Sequence, residues 1–105
     1  MQKMVKDFNE YVKNVAHREK MPVMARMLDI ESEVGELAKE YLKGSSYGTK
    51  EFEMTGDFKE EFGDVFYALL ALSNEMNISA EECLDIALKK LKDRMNKNNS
   101  FGSGR

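Results

Sequence analysis

Apolar side chains recur along this chain at helical rather than strand spacing. Met4, Val5, Phe8, Tyr11, Val12 and Val15 share one stripe and predict an amphipathic helix over 2–17. Pro22 suits the first turn of a second helix running to residue 43, just before Gly44, with Val23, Met27, Ile30, Val34, Leu37 and Tyr41 on its apolar face. The glycine- and serine-rich run 44–49 predicts a loop, extending as far as Gly56. A third helix is predicted over 57–76. From 65 to 72 it reads Val-Phe-Tyr-Ala-Leu-Leu-Ala-Leu, apolar nearly all round, and a helix of that kind is covered on every side. A partner subunit is the expected cover, with the first helix as the alternative. Ser79 followed by Glu82 is a capping box opening a fourth helix to residue 97, with Leu84, Ala87, Leu88, Leu91 and Met95 on its stripe. The polar tail 98–105 is expected to be mobile. The expectation is an all-α fold. One domain over 1–105 forms a four-helix, antiparallel, bundle-like protomer that assembles into a homodimer or homotetramer.

Composition changes this picture mainly by exclusion. Hydrophobic residues make up 42% of the 105 residues and charged residues 33%, as in a globular chain. A net charge of −3 argues against a sequence-independent nucleic-acid partner. It leaves room for a small anionic substrate if a metal supplies positive charge. One cysteine, Cys83, and one histidine, His17, exclude an internal disulfide and Cys/His zinc sites, and both are read as structural. No run reaches membrane-span length and no signal-peptide pattern opens the chain, so a cytoplasmic location without membrane contact is expected.

The candidate chemistry lies in two matching words, Glu33-Val34-Gly35-Glu36-Leu37 and Glu61-Phe62-Gly63-Asp64-Val65. Acids three apart rise on one helix face, where like charges are mildly destabilising, and a helical glycine costs about 1 kcal/mol. With 13 glutamates and 6 aspartates in the chain, either pair alone reads as a solvated face. Three features point further. At about 100° per residue, Glu33 and Glu61 sit at the edge of their apolar arcs, with Glu36 and Asp64 about 60° beyond. Asp29, Glu33, Glu36 and Glu40 form an acidic strip with Arg26 as the only cation near its line. Gly35 and Gly63 would admit a second backbone or a ligand. If the two helices pack antiparallel, Glu33, Glu36, Glu61 and Asp64 converge into a metal site. Four carboxylates without histidine select a hard cation, Mg²⁺ with Mn²⁺ as substitute.

At these residues the chain resembles the MazG family of all-α nucleoside triphosphate pyrophosphohydrolases. That family is marked by E-x-x-E on one helix and E-x-x-D on the next, here separated by 24 residues. The likeness extends from about Met27 to Arg94 and includes Ile78-Ser79 before the fourth helix. Ser32 stands where many members carry a second acid and Ala71 where many carry asparagine, and the ending Gly102-Ser103-Gly104 is a loose match. The resemblance implies an enzyme that hydrolyses (deoxy)nucleoside triphosphates between the α and β phosphates, to monophosphate and pyrophosphate. A nucleotide-pool house-cleaning role goes with it.

Metal held by the four acids would neutralise phosphates and activate a water, with Glu36 as the chosen proton acceptor because it lies farther from the apolar arc. On the basic stretch 89–97, Lys92 and Arg94 are candidates to reach a phosphate, against a simple reading as cations at a helix C-terminus. Phe8, Tyr11, Tyr47 and Phe66 are candidates to stack a base, Phe8 and Phe66 being better suited to the core. Two alternatives stand beside the enzyme: a metal-binding helical oligomerisation module without turnover, and a phosphoribosyl-ATP pyrophosphohydrolase of the same fold.

Overall fold

The computed structural model describes residues 1–16 and 21–98. Four helices make up its regular structure: α1 Gln2–Ala16, α2 Val23–Gly44, α3 Gly56–Glu75 and α4 Ala80–Asn98. Each predicted helix is present with its bounds shifted by at most a residue or two, and Asn98 belongs to α4 rather than to the tail. His17 and the tail 99–105 lie outside the described residues.

Local chemistry sets the helix ends. Pro22 takes the cap position of α2 with its φ fixed at −59°, so the chain enters the helix without a side-chain cap. The Thr55 hydroxyl accepts the Phe58 N–H at 3.0 Å and starts α3. Half of the expected capping box forms at α4, where Ser79 Oγ accepts the Glu82 N–H at 3.1 Å. Gln2 does the rest. Its side chain accepts the Ala80 N–H at 2.9 Å and donates to the Ile78 carbonyl at 2.7 Å, tacking the start of α4 to the start of α1.

The connection between α2 and α3 is pinned rather than loose. Ser45 is buried, and its hydroxyl accepts the Gly48 N–H at 3.1 Å. Phe52 stacks on Tyr41 at 4.8 Å and meets the edge of Phe58 at 5.0 Å, which closes the hairpin. The same ring lies against Gly44, where a Cβ would stand 2.5 and 2.7 Å from Phe52 carbons and 3.1 Å from the Glu53 carbonyl oxygen. A ring held between two others cannot step aside. Gly44→Ala is therefore expected to lower stability by about 1–3 kcal/mol, the usual range for overpacking, read as an earlier urea midpoint at unchanged slope.

α2 and α3 pack antiparallel, with Arg26 near the start of one paired to Glu75 at the end of the other. α1 lies across α3: Val5 packs with Leu70 and Ala71, and the Phe8 ring meets Tyr67 edge-on at 5.9 Å. α1 and α2 thus bury Ala68, Leu70 and Ala71 inside the protomer, so part of the 65–72 run is core and not interface. Phe66 and Leu69 on the same helix stay 39% and 48% exposed.

The bundle is open on one side. Leu84, Ile86 and Leu88 of α4 are all exposed, because α4 is fastened at its start and does not pack along α2 or α3. The radius of gyration is 17.2 Å, against about 13 Å for a compact domain of this length. Of the stripe predicted to enter a core, Leu84 and Leu88 stay uncovered by the described residues, while Ala87 and Leu91 are half-buried.

Candidate functional site

The antiparallel hairpin brings the two acidic words together. Glu33 from α2 and Glu61 and Asp64 from α3 each offer a carboxylate oxygen, and these oxygens all lie within 4.8 Å of one another. Glu33 and Glu61 are half-buried and Asp64 is exposed, so the cluster forms a rim site open to solvent. Glu36 is exposed one turn further along α2 and stands outside this closest group. Its charge still acts on both Glu33 and Glu61. No lysine or arginine nitrogen comes within 4.0 Å of any of the four acids among the described residues.

The electrostatics follow from that crowding. The Glu33 carboxyl is held above its ordinary value of 4.5, first by loss of solvent and then by the charges of Asp64, Asp29 and Glu36. Glu61 is raised by the same causes in the same order, with Asp64 the leading charge and Glu33, Glu36 and Glu40 behind it. A carboxyl with a raised folded-state pKa binds more protons folded than unfolded, so its ionisation subtracts stability as pH rises through that raised value. Glu33→Gln is expected to melt higher than the parent at neutral pH without metal. The advantage should close as pH falls below the ordinary 4.5, where the Glu33 carboxyl is protonated in the folded and the unfolded chain alike. Thermal melts of both proteins in chelator across that range check it, and a constant difference would contradict it.

This donor set fits a hard cation. It consists of oxygens only, on two helices, with no lysine or arginine partner among the described residues, and carboxylates of that kind suit Mg²⁺, Mn²⁺ or Ca²⁺ rather than softer ions. Around Gly35 and Gly63 an added Cβ would meet nothing within 4 Å. Among the described residues no second backbone uses the space beside these glycines.

The acidic strip needs a correction. Arg26 is not the only cation beside it: Arg26 is buried and turned to Glu75, and also meets Asp29, the first acid of the strip, at 3.5 Å. Lys43, which the strip's pattern left out, pairs with Glu40 at 3.3 Å. Lys92 is exposed and Arg94 half-buried on α4, which does not pack along the α2/α3 seam, so among the described residues nothing joins them to the carboxylates. Of the aromatic candidates, Phe8 is engaged with Tyr67 and Phe66 with Phe62, while Tyr11 and Tyr47 are exposed.

Two features escaped the sequence reading. One is the Arg26–Glu75 ion pair, whose nitrogen–oxygen distances run from 3.0 to 3.3 Å, with the guanidinium 5.7 Å from the centre of the Tyr67 ring. Its signal was present: Arg26 precedes Glu33 by seven residues and Glu75 follows Asp64 by eleven, spacings that return to nearly the same helix face. The other is a cavity of about 590 Å³ bounded by Asn9, Arg26, Tyr67, Ala71, Asn74 and Glu75 among others. It does not contain the three carboxylates.

Comparison with known proteins places this arrangement. The model of the MazG nucleotide pyrophosphohydrolase domain matches residues 9–98. The chain is 39% identical over 74 residues to the uncharacterized protein YpjD of Bacillus subtilis (strain 168), a stretch that spans 68% of this chain and 65% of that protein. It thus covers slightly less than two thirds of the relative's length. No solved structure matches significantly.

Proposed function

The chain belongs to the MazG nucleotide pyrophosphohydrolase family, hydrolases acting on acid anhydrides, and we propose that it cleaves nucleoside or deoxynucleoside triphosphates between the α and β phosphates. The observation that carries this reading is the convergence of Glu33, Glu61 and Asp64 from two helices. In this reading those three carboxylates hold the metal, with Glu36 completing the set from the next turn of α2. A divalent cation there, Mg²⁺ or Mn²⁺, supplies charge neutralisation for the phosphates and a more acidic water. Glu36 is exposed and has no cation partner among the described residues, which suits it to accept the proton of the attacking water. The cavity beside Asn9, Tyr67 and Asn74, bounded mainly by α1 and α3, has the volume of a small-molecule site and is the proposed place for the nucleoside end of the substrate.

Self-association belongs to the same proposal. The uncovered stripe of α4, together with Phe66 and Leu69 of α3, gives a homodimer or homotetramer its apolar contact. Within such an assembly Lys92 and Arg94 of one copy are the cations that contact the phosphates. The acidic chain argues against nucleic acid as substrate, and no helix among the described residues is long and apolar enough to cross a membrane. A house-cleaning role on surplus or non-canonical deoxynucleotides follows from the reaction class.

The test is a product analysis in ¹⁸O-labelled water with Mg²⁺ across canonical and modified nucleotides, phosphoribosyl-ATP included. Equal monophosphate and pyrophosphate, with label in the monophosphate, is expected. Label only in pyrophosphate, or diphosphate with orthophosphate, would place the attack elsewhere. No turnover of any nucleotide would leave a metal-binding helical module as the better reading.

A further inference from the structure

We infer that Arg26 and Glu75 are positioning residues for the carboxylate site: their buried ion pair sets the register of α2 against α3 and so the spacing of Glu33 from Glu61 and Asp64. This inference rests on the reading of those three carboxylates as a cation site.

The seam between α2 and α3 is fastened at two ends with the acids between them. At the hairpin end, the loop and the Tyr41, Phe52 and Phe58 rings tie the helices together. At the other end the cross-link is the Arg26–Glu75 pair. Glu33 lies seven residues after Arg26 and eight before Tyr41, near the midpoint. What sits at that midpoint pushes outward: three carboxylates within 4.8 Å, with Glu36 adding to the repulsion. A repulsive centre keeps its geometry only if both ends are held.

The pair is built for that purpose. Its side chains are only 8% and 6% exposed, so neither swings freely in solvent. Arg26 Nε donates to both carboxylate oxygens of Glu75, at 3.3 and 3.2 Å, and Nη2 adds a third bond at 3.0 Å. A forked contact of this kind fixes angle as well as distance, which a lysine cannot do. The guanidinium also faces Tyr67, whose hydroxyl donates to Asn9 of α1 at 2.5 Å, so a third helix backs the clamp. A buried ion pair is weak support for stability, because apolar residues of similar volume often replace it without loss; register is the role in which such pairs are best attested. Metal sites tolerate displacements of only about 0.5 Å in their ligands, so register there is function.

The decisive variant is Arg26→Met with Glu75→Leu, which keeps volume and burial while removing the fork. Mn²⁺ binding is measured by titration and the fold by its melting temperature. The expected result is a melting temperature within a few degrees of the parent and an Mn²⁺ affinity weakened about tenfold or more, the scale on which partners of metal ligands act. Parental Mn²⁺ affinity in the double variant overturns the inference. If that variant does not fold, Arg26→Lys, measured below its own melting temperature, decides in the same way: weakened affinity supports the clamp and parental affinity overturns it. A metal-free arm separates the clamp from the metal reading. Spin labels at the exposed positions 31 and 76, on the clamp side of the acids, with Cys83→Ser, report the α2 to α3 distance distribution by pulsed electron resonance. Broadening in the clamp variants supports register control even if the parent binds no Mn²⁺, which would remove the metal reading alone. An unchanged distribution overturns the clamp.

Discussion

Asp64→Asn is expected to reduce nucleotide hydrolysis by at least about a hundredfold while the helical fold persists. Losing a group that merely orients a metal ligand already costs 10–100-fold, so loss of a ligand's charge should cost more. Asp64 also stands first among the charges raising Glu33 and Glu61. Removing it relieves repulsion, so the metal-free variant should melt at or above the parent's temperature. Substrate turnover and thermal melts in chelator give the two readings. Turnover near the parental rate would sink the assignment of the cluster, whatever the melting temperature.

The second large effect concerns Leu70. The apolar run 65–72 reads from sequence as a subunit interface, yet Leu70 is 8% exposed within a single protomer, packed with Val5 and Ala71. Leu70→Glu therefore places an unpaired charge in the core. That costs several kcal/mol, a large share of the 5–15 kcal/mol that holds an ordinary domain together. The chain is expected to lose cooperative thermal unfolding and most of its helical circular dichroism. Leu69→Glu is the contrast, because Leu69 is exposed. It should leave the protomer folded and shift sedimentation toward monomer. A folded Leu70→Glu protein would show that α1 does not cover α3 as described.

The division between these neighbours shows where sequence reading stops. Helical period placed all four helices, since each has an apolar stripe, and punctuation by Pro22, Gly44 and Ser79 set the bounds to within a residue or two. The site was legible for a similar reason: two acids three apart beside a glycine, written twice, become one cluster when consecutive helices fold back on each other. Glu33, Glu61 and Asp64 meet accordingly. Glu36 stands outside that group although Glu61 and Asp64, at the same three-residue spacing, both join it: the rotation of each helix against its partner decides this, and spacing alone does not set it. Which face of an all-apolar helix its own chain covers is likewise not written in the period. Leu70 and Leu69 are alike as letters and differ only in where α1 lies.

The pairing of Arg26 with Glu75 escaped for another reason. Both belong to charged residues that usually stay in water, and 49 residues separate them. Only the antiparallel register brings them together, and that register is the quantity they help to define. Lys92 and Arg94 show the converse. Their charge was legible, but the proposed place beside phosphates depends on how α4 would pack in the proposed assembly, which their spacing does not set.

The most direct measurement is anomalous scattering from Mn²⁺ in crystals of the parent protein. The expected peak lies between the carboxylates of Glu33, Glu61 and Asp64, and it should vanish in Asp64→Asn crystals grown in the same conditions. A peak elsewhere on the chain, or one at this cluster that survives the substitution undiminished, would contradict the metal centre on which the proposed hydrolysis rests.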